Sequence, residues 1–362
     1  MNAVTAIMAI FAVLGAVDLI IGNRFGLGAE FRKGFMMLGE LVLSMVGMIV
    51  LAPLFAQLLG APLKALSELI LIDPSAFIGS LLANDMGGAP LSLVIANDSE
   101  IGYFSGLIIG SMMGATVSFT LPFVMGATEK SQRKSILLGL LCGICTIPLG
   151  CFVAGLMAGV GILPLLLNLI PLLLLSVILA VGLLKLPNTS VKIFNVFGIA
   201  IRVIVIAGLI IGILEYLLGL DIVPYTASIE EGADVVFNIA VVMSGAFPLL
   251  YLVSKLVAKP MGALGKKTGL NEKSLLGFVS TLATSVTTFG MMKEMDDRGV
   301  ILNSAFAISA AFTLADHLAF TLSFKADYLP YVIIGKLISG VLAVALAALI
   351  SKKQTLRDEK VG

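Results

Sequence analysis

Long apolar stretches alternate with short polar connections along most of the chain. Each long stretch is about as long as a helix that crosses a lipid bilayer, which takes roughly 20 residues. Because a spanning helix satisfies its own backbone hydrogen bonds, such stretches predict helices rather than strands. The predicted spans are 3–22, 35–60, 101–126, 134–159, 162–186, 195–219, 234–257, 299–324 and 328–351. The pattern therefore predicts an all-α polytopic membrane protein with about nine transmembrane helices.

Two further apolar segments, 74–97 and 274–293, are interrupted in the middle by small polar residues. The interruption is Asn-Asp-Met-Gly-Gly at 84–88 in the first segment and Thr-Ser-Val-Thr-Thr at 284–288 in the second. A helical arm of about 10 residues rises roughly 14 Å, about half of the hydrocarbon core. The first interruption is therefore expected near the middle of the membrane, where non-helical backbone lines a cavity or is buried in protein.

The two interrupted segments lie at equivalent places in an internal repeat. Residues 59–79 align with 256–277 at an offset of about 198 residues, which pairs Pro62 with Pro260. The predicted organisation is a first repeat at 1–160 with hairpin 74–97, a linking transmembrane helix at 161–194, and a second repeat at 195–362 with hairpin 274–293.

Loop charge orients the predicted spans, because cytoplasmic loops carry an excess of lysine and arginine. The 126–134 loop, which contains Lys130, the 255–273 loop and the C-terminus are all basic, whereas the 220–234 loop is acidic. Between the last two basic regions, two predicted spans already supply an even number of crossings, so the second interrupted segment should enter and return. The same reasoning places the N-terminus outside and the C-terminus in the cytoplasm. The two re-entrant hairpins then form an inverted repeat, a feature of transporters; full crossing by broken helices is the alternative, with eleven spans.

A ladder of small residues predicts how one span packs. Gly102, Gly106, Gly110, Gly114 and Ser118 recur every four residues. Small residues at this spacing let helix backbones approach closely in membranes. We expect this face of the helix to pack against an arm of a hairpin.

Composition excludes several classes of protein. Hydrophobic residues make up 59% of the 362 residues, charged residues make up 12%, and the mean hydropathy is +1.10, whereas soluble domains carry about 25% charge. The net charge of +1 indicates no surface for nucleic acid. Cys142 and Cys145 form a Cys-x-x-Cys pair without the further ligands that a zinc site needs. Neither a metal nor a cofactor is predicted.

Asp85 is the first candidate for chemistry. A carboxylate near the centre of a spanning helix costs roughly 2.5–3.5 kcal/mol on insertion scales, so its presence indicates a functional site. We expect Asp85 to face a polar central cavity and bind a cation beside Asn84. Gly87 and Gly88 would allow the turn and let a solute approach the backbone. The structural alternative is that Asp85 pairs with Asn84 or with free amides at a helix end.

The second half offers another intramembrane carboxylate, Asp316, followed by the only histidine, His317. Ser309, Thr313, His317 and Thr321 recur every four residues, which predicts one polar stripe along a helix. The structural alternatives are an ion pair between Asp316 and a lysine of the next span, at position 336, and a core role for His317.

Four stretches of the chain resemble the ethanolamine permease family of bacterial ethanolamine-utilisation pathways. They are LLANDMGG (81–88), SGLIIGSMMGATVSF (105–119), GICTIPLGC (143–151) and FGMMKEMDDRGVILNSAFAISAAFTLADHLAF (289–320). The resemblance covers most of the chain from about 35 to 350, and the last motif is long and specific. It implies uptake of ethanolamine, a small primary ammonium alcohol, by a multi-pass protein of the bacterial cytoplasmic membrane.

This sequence departs from the family's pattern at both hairpins. Where the family has a cysteine before the hairpin aspartate, this chain has Asn84, and where it has two asparagines in the second hairpin, this chain has Thr284 and Ser285. The resemblance therefore supports a polar role for Asp85 more strongly than for the second hairpin.

The residues that suit such a substrate can be named. A protonated amine is bound by carboxylates and aromatic faces, and a hydroxyl by amide or hydroxyl groups. The predicted substrate-binding residues are Asn84, Asp85, Gly87, Gly88, Thr116, Ser118, Thr284, Ser285, Thr313, Asp316 and His317.

Other functions fit the sequence less well. An intramembrane enzyme that binds magnesium diphosphate would need paired aspartates, but Asp85 has no second aspartate nearby. A transporter for another small cationic or polar solute, choline-like or a nucleoside, remains the alternative. The expected partners are ethanolamine and membrane lipid, a homo-oligomer is compatible with the sequence, and both proton coupling and facilitated diffusion stay open.

Overall fold

The structure, a computed structural model, describes residues 3–127 and 132–361. Within these ranges the chain is helical and contains no strands, which confirms the predicted all-α class. The α-helices are α1 (Ala3–Ile20), α2 (Leu27–Met36), α3 (Leu38–Leu41), α4 (Gly47–Ile70), α5 (Ser75–Leu81), α6 (Gly88–Ile95), α7 (Ser99–Tyr103), α8 (Leu121–Ala127), α9 (Arg133–Met157), α10 (Ile162–Asn168), α11 (Ile170–Lys185), α12 (Pro187–Leu218), α13 (Ile229–Thr268), α14 (Glu272–Ala283), α15 (Ser285–Gly290), α16 (Asp297–Ala310), α17 (Asp316–Lys325) and α18 (Leu329–Val361). Segments of π-helix are Val42–Val46, Phe104–Gly114 and Thr116–Thr120, and short 3₁₀ turns are Asn84–Met86, Met292–Glu294 and Ala326–Tyr328.

Seven helices within the described ranges are long and apolar enough to cross a membrane. They are Leu27–Ile70, Ser99–Val124, Arg133–Met157, Ile162–Lys185, Lys192–Leu218, Ile229–Leu256 and Asp316–Ser351. Each overlaps a predicted span, and the first predicted span is the shorter apolar helix Val4–Ile20. Exposed leucine, isoleucine and valine side chains run along α11 and α12, as expected for helices that face lipid. The chain is therefore a multi-pass membrane protein.

The predicted span 299–324 is not one continuous helix. Residues 311–315, here called the helix break, separate α16 from α17. Within the break, Phe312 has a left-handed φ of 62°, which bulky residues rarely adopt. The predicted polar stripe is therefore wrong, because the break falls between its members and places Thr313 outside both helices while His317 lies on α17.

The predicted cytoplasmic loop 255–273 is also largely helical, since α13 continues to Thr268. Its alanine, leucine, methionine and lysine residues are good helix formers. The helix ends before Gly269, whose φ of 71° is typical of a residue that terminates a helix. In the 126–134 loop, Lys130 lies outside the described residues.

The first interrupted segment folds as a helical hairpin of α5 and α6, here called the first hairpin. The carboxylate of Asp73 joins its two ends, because Oδ2 accepts hydrogen bonds from the backbone N–H groups of Asn97 (2.9 Å) and Asp98 (3.3 Å). The chain therefore enters and leaves this hairpin at the same end. The interruption covers residues 82–87, close to the predicted 84–88.

The second interrupted segment is a hairpin of α14 and α15, here called the second hairpin. Ser274 Oγ donates to Asp296 Oδ1 (2.7 Å), and Lys273 Nζ lies 3.1 Å from Glu294 Oε2, so these two ends also meet. The interruption is narrower than the predicted 284–288. Only Thr284 is extended, and its Oγ1 accepts from the backbone of α15 (3.3 Å), a hydroxyl cap that lets the following serine and threonines form a helix.

Helices in the two halves follow one another in the same order. α1 corresponds to the end of α12, α2 to α4 correspond to α13, the hairpins correspond to each other, and α9 corresponds to α18. Asp18 near the end of α1 and Glu215 near the end of α12 each accept a hydrogen bond from the backbone N–H seven residues later, that of Phe25 (3.0 Å) and that of Ile222 (3.1 Å). This order is compatible with the repeat, which stays a prediction.

Each hairpin is held by the helix that follows it. A Cβ at Gly114 of the π-helical segment would overlap the backbone carbonyl oxygen of Leu82, and Ser118 Oγ accepts from Ala83 N (3.1 Å). The predicted packing of the small-residue ladder against a hairpin arm is therefore confirmed. The second hairpin instead binds the helix break through backbone hydrogen bonds from Phe312 N and Leu314 N, which donate to two carbonyls at the end of α14 (3.1 and 2.9 Å).

Candidate functional site

The tips of both hairpins meet at one central cavity of about 850 Å³. In the first half, the cavity is lined by the region 37–44, the tip of the first hairpin and the region 115–123. In the second half, it is lined by α12, the tip of the second hairpin and the helix break with the start of α17. Its size falls in the range of small-molecule sites. A solute in this cavity would contact both halves of the chain.

Asp85 lies on the 3₁₀ turn at the tip of the first hairpin and lines the cavity. The turn ends at Gly87, whose φ of 87° is free of steric cost only for glycine. A Cβ at Gly87 would overlap the side chain of Met48, and one at Gly88 would meet two backbone carbonyl oxygens. These two glycines give the turn its shape without lining the cavity, and their contact with a solute stays a prediction.

A buried histidine and lysine lie behind Asp85. His317 Nε2 is 3.9 Å from Asp85 Oδ1, and His317 Nδ1 is 3.0 Å from Lys336 Nζ. Lys336 Nζ also donates to the backbone carbonyl of Ser111 (2.6 Å). The side chains of His317 and Lys336 are each about 1% exposed. The imidazole ring therefore lies between the lysine ammonium group and the Asp85 carboxylate.

Asp316, the first residue of α17, lines the same cavity as Asp85. Asp85 and Glu40 are its acidic neighbours, and Glu40 also lines the cavity. Among the described residues, Lys336 makes its side-chain contact with His317 and not with Asp316. The ion pair that was the structural alternative for Asp316 is therefore not formed, and the carboxylate faces the cavity.

Aromatic rings form part of the cavity wall. Phe119 stacks with Phe123 at 5.9 Å between ring centroids and meets Phe312 edge to face at 5.5 Å. Phe312 also lies 5.4 Å from the imidazole ring of His317. All four side chains line the cavity. Aromatic faces beside carboxylates are typical of sites for organic ammonium ions.

The structure brings together five of the predicted substrate-binding residues on the cavity wall: Asp85, Ser118, Thr284, Asp316 and His317. The other six lie away from that wall: Asn84, Gly87, Gly88, Thr116, Ser285 and Thr313. Two of the six have hydroxyls engaged with backbone carbonyls, since Thr116 donates to Met112 (2.7 Å) and Thr313 to Ala310 (2.7 Å). Asn84 and Ser285 are buried, and their side chains have no hydrogen-bond partner among the described residues.

Several groups at the site were not among the predicted site residues. In the sequence analysis, Lys336 is named only as a partner of Asp316, although a lone lysine inside a predicted span also indicates a functional site. Arg202 of α12 and the three phenylalanines line the cavity, but nothing in an apolar sequence distinguishes a cavity aromatic from a lipid-facing one.

The chain is similar to a known protein family over most of its length. A family model described as "Ethanolamine utilisation protein, EutH" matches residues 1–350. The chain belongs to the EutH family. This confirms the resemblance found in the four sequence motifs.

Three relatives in this family carry the name "Probable ethanolamine permease EutH". The protein from Listeria monocytogenes is 42% identical over 353 residues, which cover 98% of this chain and 95% of that protein. The Escherichia coli protein is 36% identical over 96% of this chain and 95% of its own length. The Salmonella typhimurium protein is 37% identical over 98% of this chain and 96% of its own length. No solved structure matches the chain.

Membership of the EutH family decides the broad class of this protein. Its named relatives carry the name of a probable permease, and the described part of the chain contains several helices able to cross a membrane. The chain is accordingly a multi-pass bacterial membrane transporter and not an enzyme.

Proposed function

We propose that this EutH family member imports ethanolamine across the bacterial cytoplasmic membrane and binds it in the central cavity. The observation that carries the proposal is that Asp85 from the first half and Asp316 from the second line one cavity. Ethanolamine is a primary amine and is protonated near neutral pH, as the lysine side chain is. Its ammonium group would donate charge-assisted hydrogen bonds to these carboxylates, which are stronger than neutral ones.

The other end of ethanolamine requires a partner for its hydroxyl group. Ser118 and Thr284, one from each half, place hydroxyls on the cavity wall. Thr284 Oγ1 accepts from Val286 N, so its own O–H can donate to the substrate oxygen. The faces of Phe119 and Phe312 add cation–π surface for the ammonium group.

We further propose the membrane arrangement that this function needs: nine crossings, two re-entrant hairpins that enter from opposite faces, an outside N-terminus and a cytoplasmic C-terminus. Its support is that each hairpin begins and ends at one place, through Asp73 with Asn97 in the first and Ser274 with Asp296 in the second. A pair of hairpins related in this way is typical of transporters with a binding site at mid-membrane.

Cysteine labelling tests this arrangement. Single cysteines at Lys273 and Asp297, in a background with exposed Cys145 replaced by serine, should react with an impermeant maleimide from the cytoplasmic face only. A cysteine at the loop residue Asp221 serves as the matched probe and should react from the outside. Labelling of the first two positions from opposite faces would replace the nine-span arrangement with one of eleven spans.

Uptake into proteoliposomes tests the substrate. Purified protein should give saturable uptake of radiolabelled ethanolamine that empty liposomes lack, because the charged amine crosses lipid poorly. Excess unlabelled ethanolamine should compete more strongly than choline or a nucleoside. Stronger competition by either of the others would assign the cavity to that solute, and the absence of saturable ethanolamine uptake would contradict the proposal.

A further inference from the structure

We propose that Lys336, His317 and Asp85 form a proton-exchange relay, in which the arriving ammonium ion of the substrate replaces one proton of the protein. The inference rests on the proposed function and adds to it a fixed stoichiometry between substrate and protons. It is carried by three contacts: Lys336 to Ser111, Lys336 to His317, and His317 to Asp85.

The hydrogen-bond donors in the relay fix where its protons lie. A lysine ammonium has three donors and no acceptor, so a protonated Lys336 donates both to the Ser111 carbonyl (2.6 Å) and to His317 Nδ1 (3.0 Å). Because Nδ1 then accepts, a neutral imidazole carries its proton on Nε2. Nε2 lies 3.9 Å from Oδ1 of Asp85, which is on the cavity wall. The three groups therefore form one chain from a buried cation to the cavity.

Charged and titratable groups reach the relay from several elements of the fold. Beside Lys336, α9 contributes the Cys151 thiol, α17 contributes His317, and the first hairpin contributes Asp85. On the cavity side, the acidic groups are Asp316 and Glu40, and the cations are Arg202 of the cavity wall and Lys33. Within the described residues, Asp85 is thus the carboxylate that compensates Lys336 in the empty site.

Binding of an ammonium ion at Asp85 changes how the charge of Lys336 is compensated. The carboxylate that compensates Lys336 would then be shared with a second cation, in a region of low dielectric where each uncompensated charge is costly. The relay can remove one of the two positive charges. Nζ of Lys336 passes a proton to His317 Nδ1, while the Nε2 proton of His317 leaves for water in the cavity. Lys336 becomes neutral and accepts from Nδ1–H. One N–H bond is transferred and one proton leaves the protein for each ammonium ion bound.

The exchange has a consequence for transport. If the proton is released on the side where the substrate binds and taken up again on the side where it leaves, each cycle moves one ammonium ion inward and one proton outward. Uptake would then carry no net charge, and the membrane potential would not drive it.

Proton counting during binding tests the relay without any substitution. Calorimetric titration of purified wild-type protein with ethanolamine, in buffers with different ionisation enthalpies, should show release of about one proton per ethanolamine. The dissociation constant should correspondingly fall by up to about tenfold per pH unit as the pH rises from 6 to 8, because binding that releases one proton is favoured at higher pH.

Variants of Lys336 separate proton exchange from charge alone. Lys336→Arg keeps a cation that does not lose its proton, so it should bind ethanolamine more weakly, with no proton release and no pH dependence. Lys336→Met should likewise release no proton. Lys273→Met, at a surface ion pair with Glu294, is the matched control and should behave as wild type.

The outcomes distinguish the relay from the function on which it rests. Ethanolamine binding by wild type without proton release, or release that survives in Lys336→Arg, would overturn the relay and leave the permease function intact. If wild type fails to bind ethanolamine at all, the proposed function is wrong and the relay falls with it.

Discussion

The variant Asp85→Asn is expected to bind ethanolamine about 10- to 150-fold more weakly than wild type. Asparagine keeps the size of the side chain and removes its charge, and a hydrogen bond to a charged group contributes roughly 1.5–3 kcal/mol. Isothermal titration of purified protein measures the change. Asp221→Asn, in the exposed loop between α12 and α13, makes the same substitution far from the cavity and should leave the affinity unchanged.

The same variant also decides between a binding role and a structural role for Asp85. A structural role would lower the yield of folded protein, because Lys336 would lose its carboxylate, while the affinity of the remaining protein stayed at the wild-type value. That result would remove Asp85 from the site and make Asp316, across the cavity, the principal carboxylate for the substrate.

Gly114→Ala is expected to lower both stability and ethanolamine affinity, although it lies off the cavity wall. Its Cβ would overlap the carbonyl oxygen of Leu82 and lie 2.7 Å from that of Gly79. Both neighbours are backbone atoms that no side-chain rotation can move, so the first hairpin must shift and take Asp85 with it. Overpacking of this kind costs about 1–3 kcal/mol, and occasionally more.

Thermal unfolding in detergent, followed by titration with ethanolamine, measures the effect of Gly114→Ala. Gly60→Ala is the matched control, because a Cβ at Gly60 of α4 meets nothing within 4 Å. Alanine is the better helix former by about 1 kcal/mol, so the control should be neutral or slightly more stable. Equal melting temperatures for the two variants would contradict the close packing of the hairpin on this segment.

Hydropathy was sufficient to predict most of the spans, because a membrane helix has a length that the bilayer fixes. It also located both hairpins, since polar residues inside an apolar run are costly and therefore informative. The carboxylates Asp85 and Asp316 were predicted for the same reason, and both line the cavity. These signals are local, and each can be read from a short stretch of sequence.

The features that could not be predicted depend on contacts between distant segments. The helix break falls in Ala-Phe-Thr-Leu-Ala at 311–315, which contains neither glycine nor proline. Its conformation is held by hydrogen bonds to the second hairpin, about thirty residues earlier. The partner of Lys336 likewise depends on which helices become neighbours, and no local feature of the sequence favours His317 over Asp316 as that partner.

The bonds between the helix break and the second hairpin also bear on how the protein is assembled. The last carbonyls of α14 have no partner within their own helix, and the amides of Phe312 and Leu314, which lie in the break, donate to two of these carbonyls. An unsatisfied backbone group in hydrocarbon costs several kcal/mol. Before the two meet, residues 299–324 can satisfy their own backbone by inserting as an unbroken helix. The hairpin is synthesised first, so we expect the break to form when that helix docks on the hairpin's open carbonyls, after insertion.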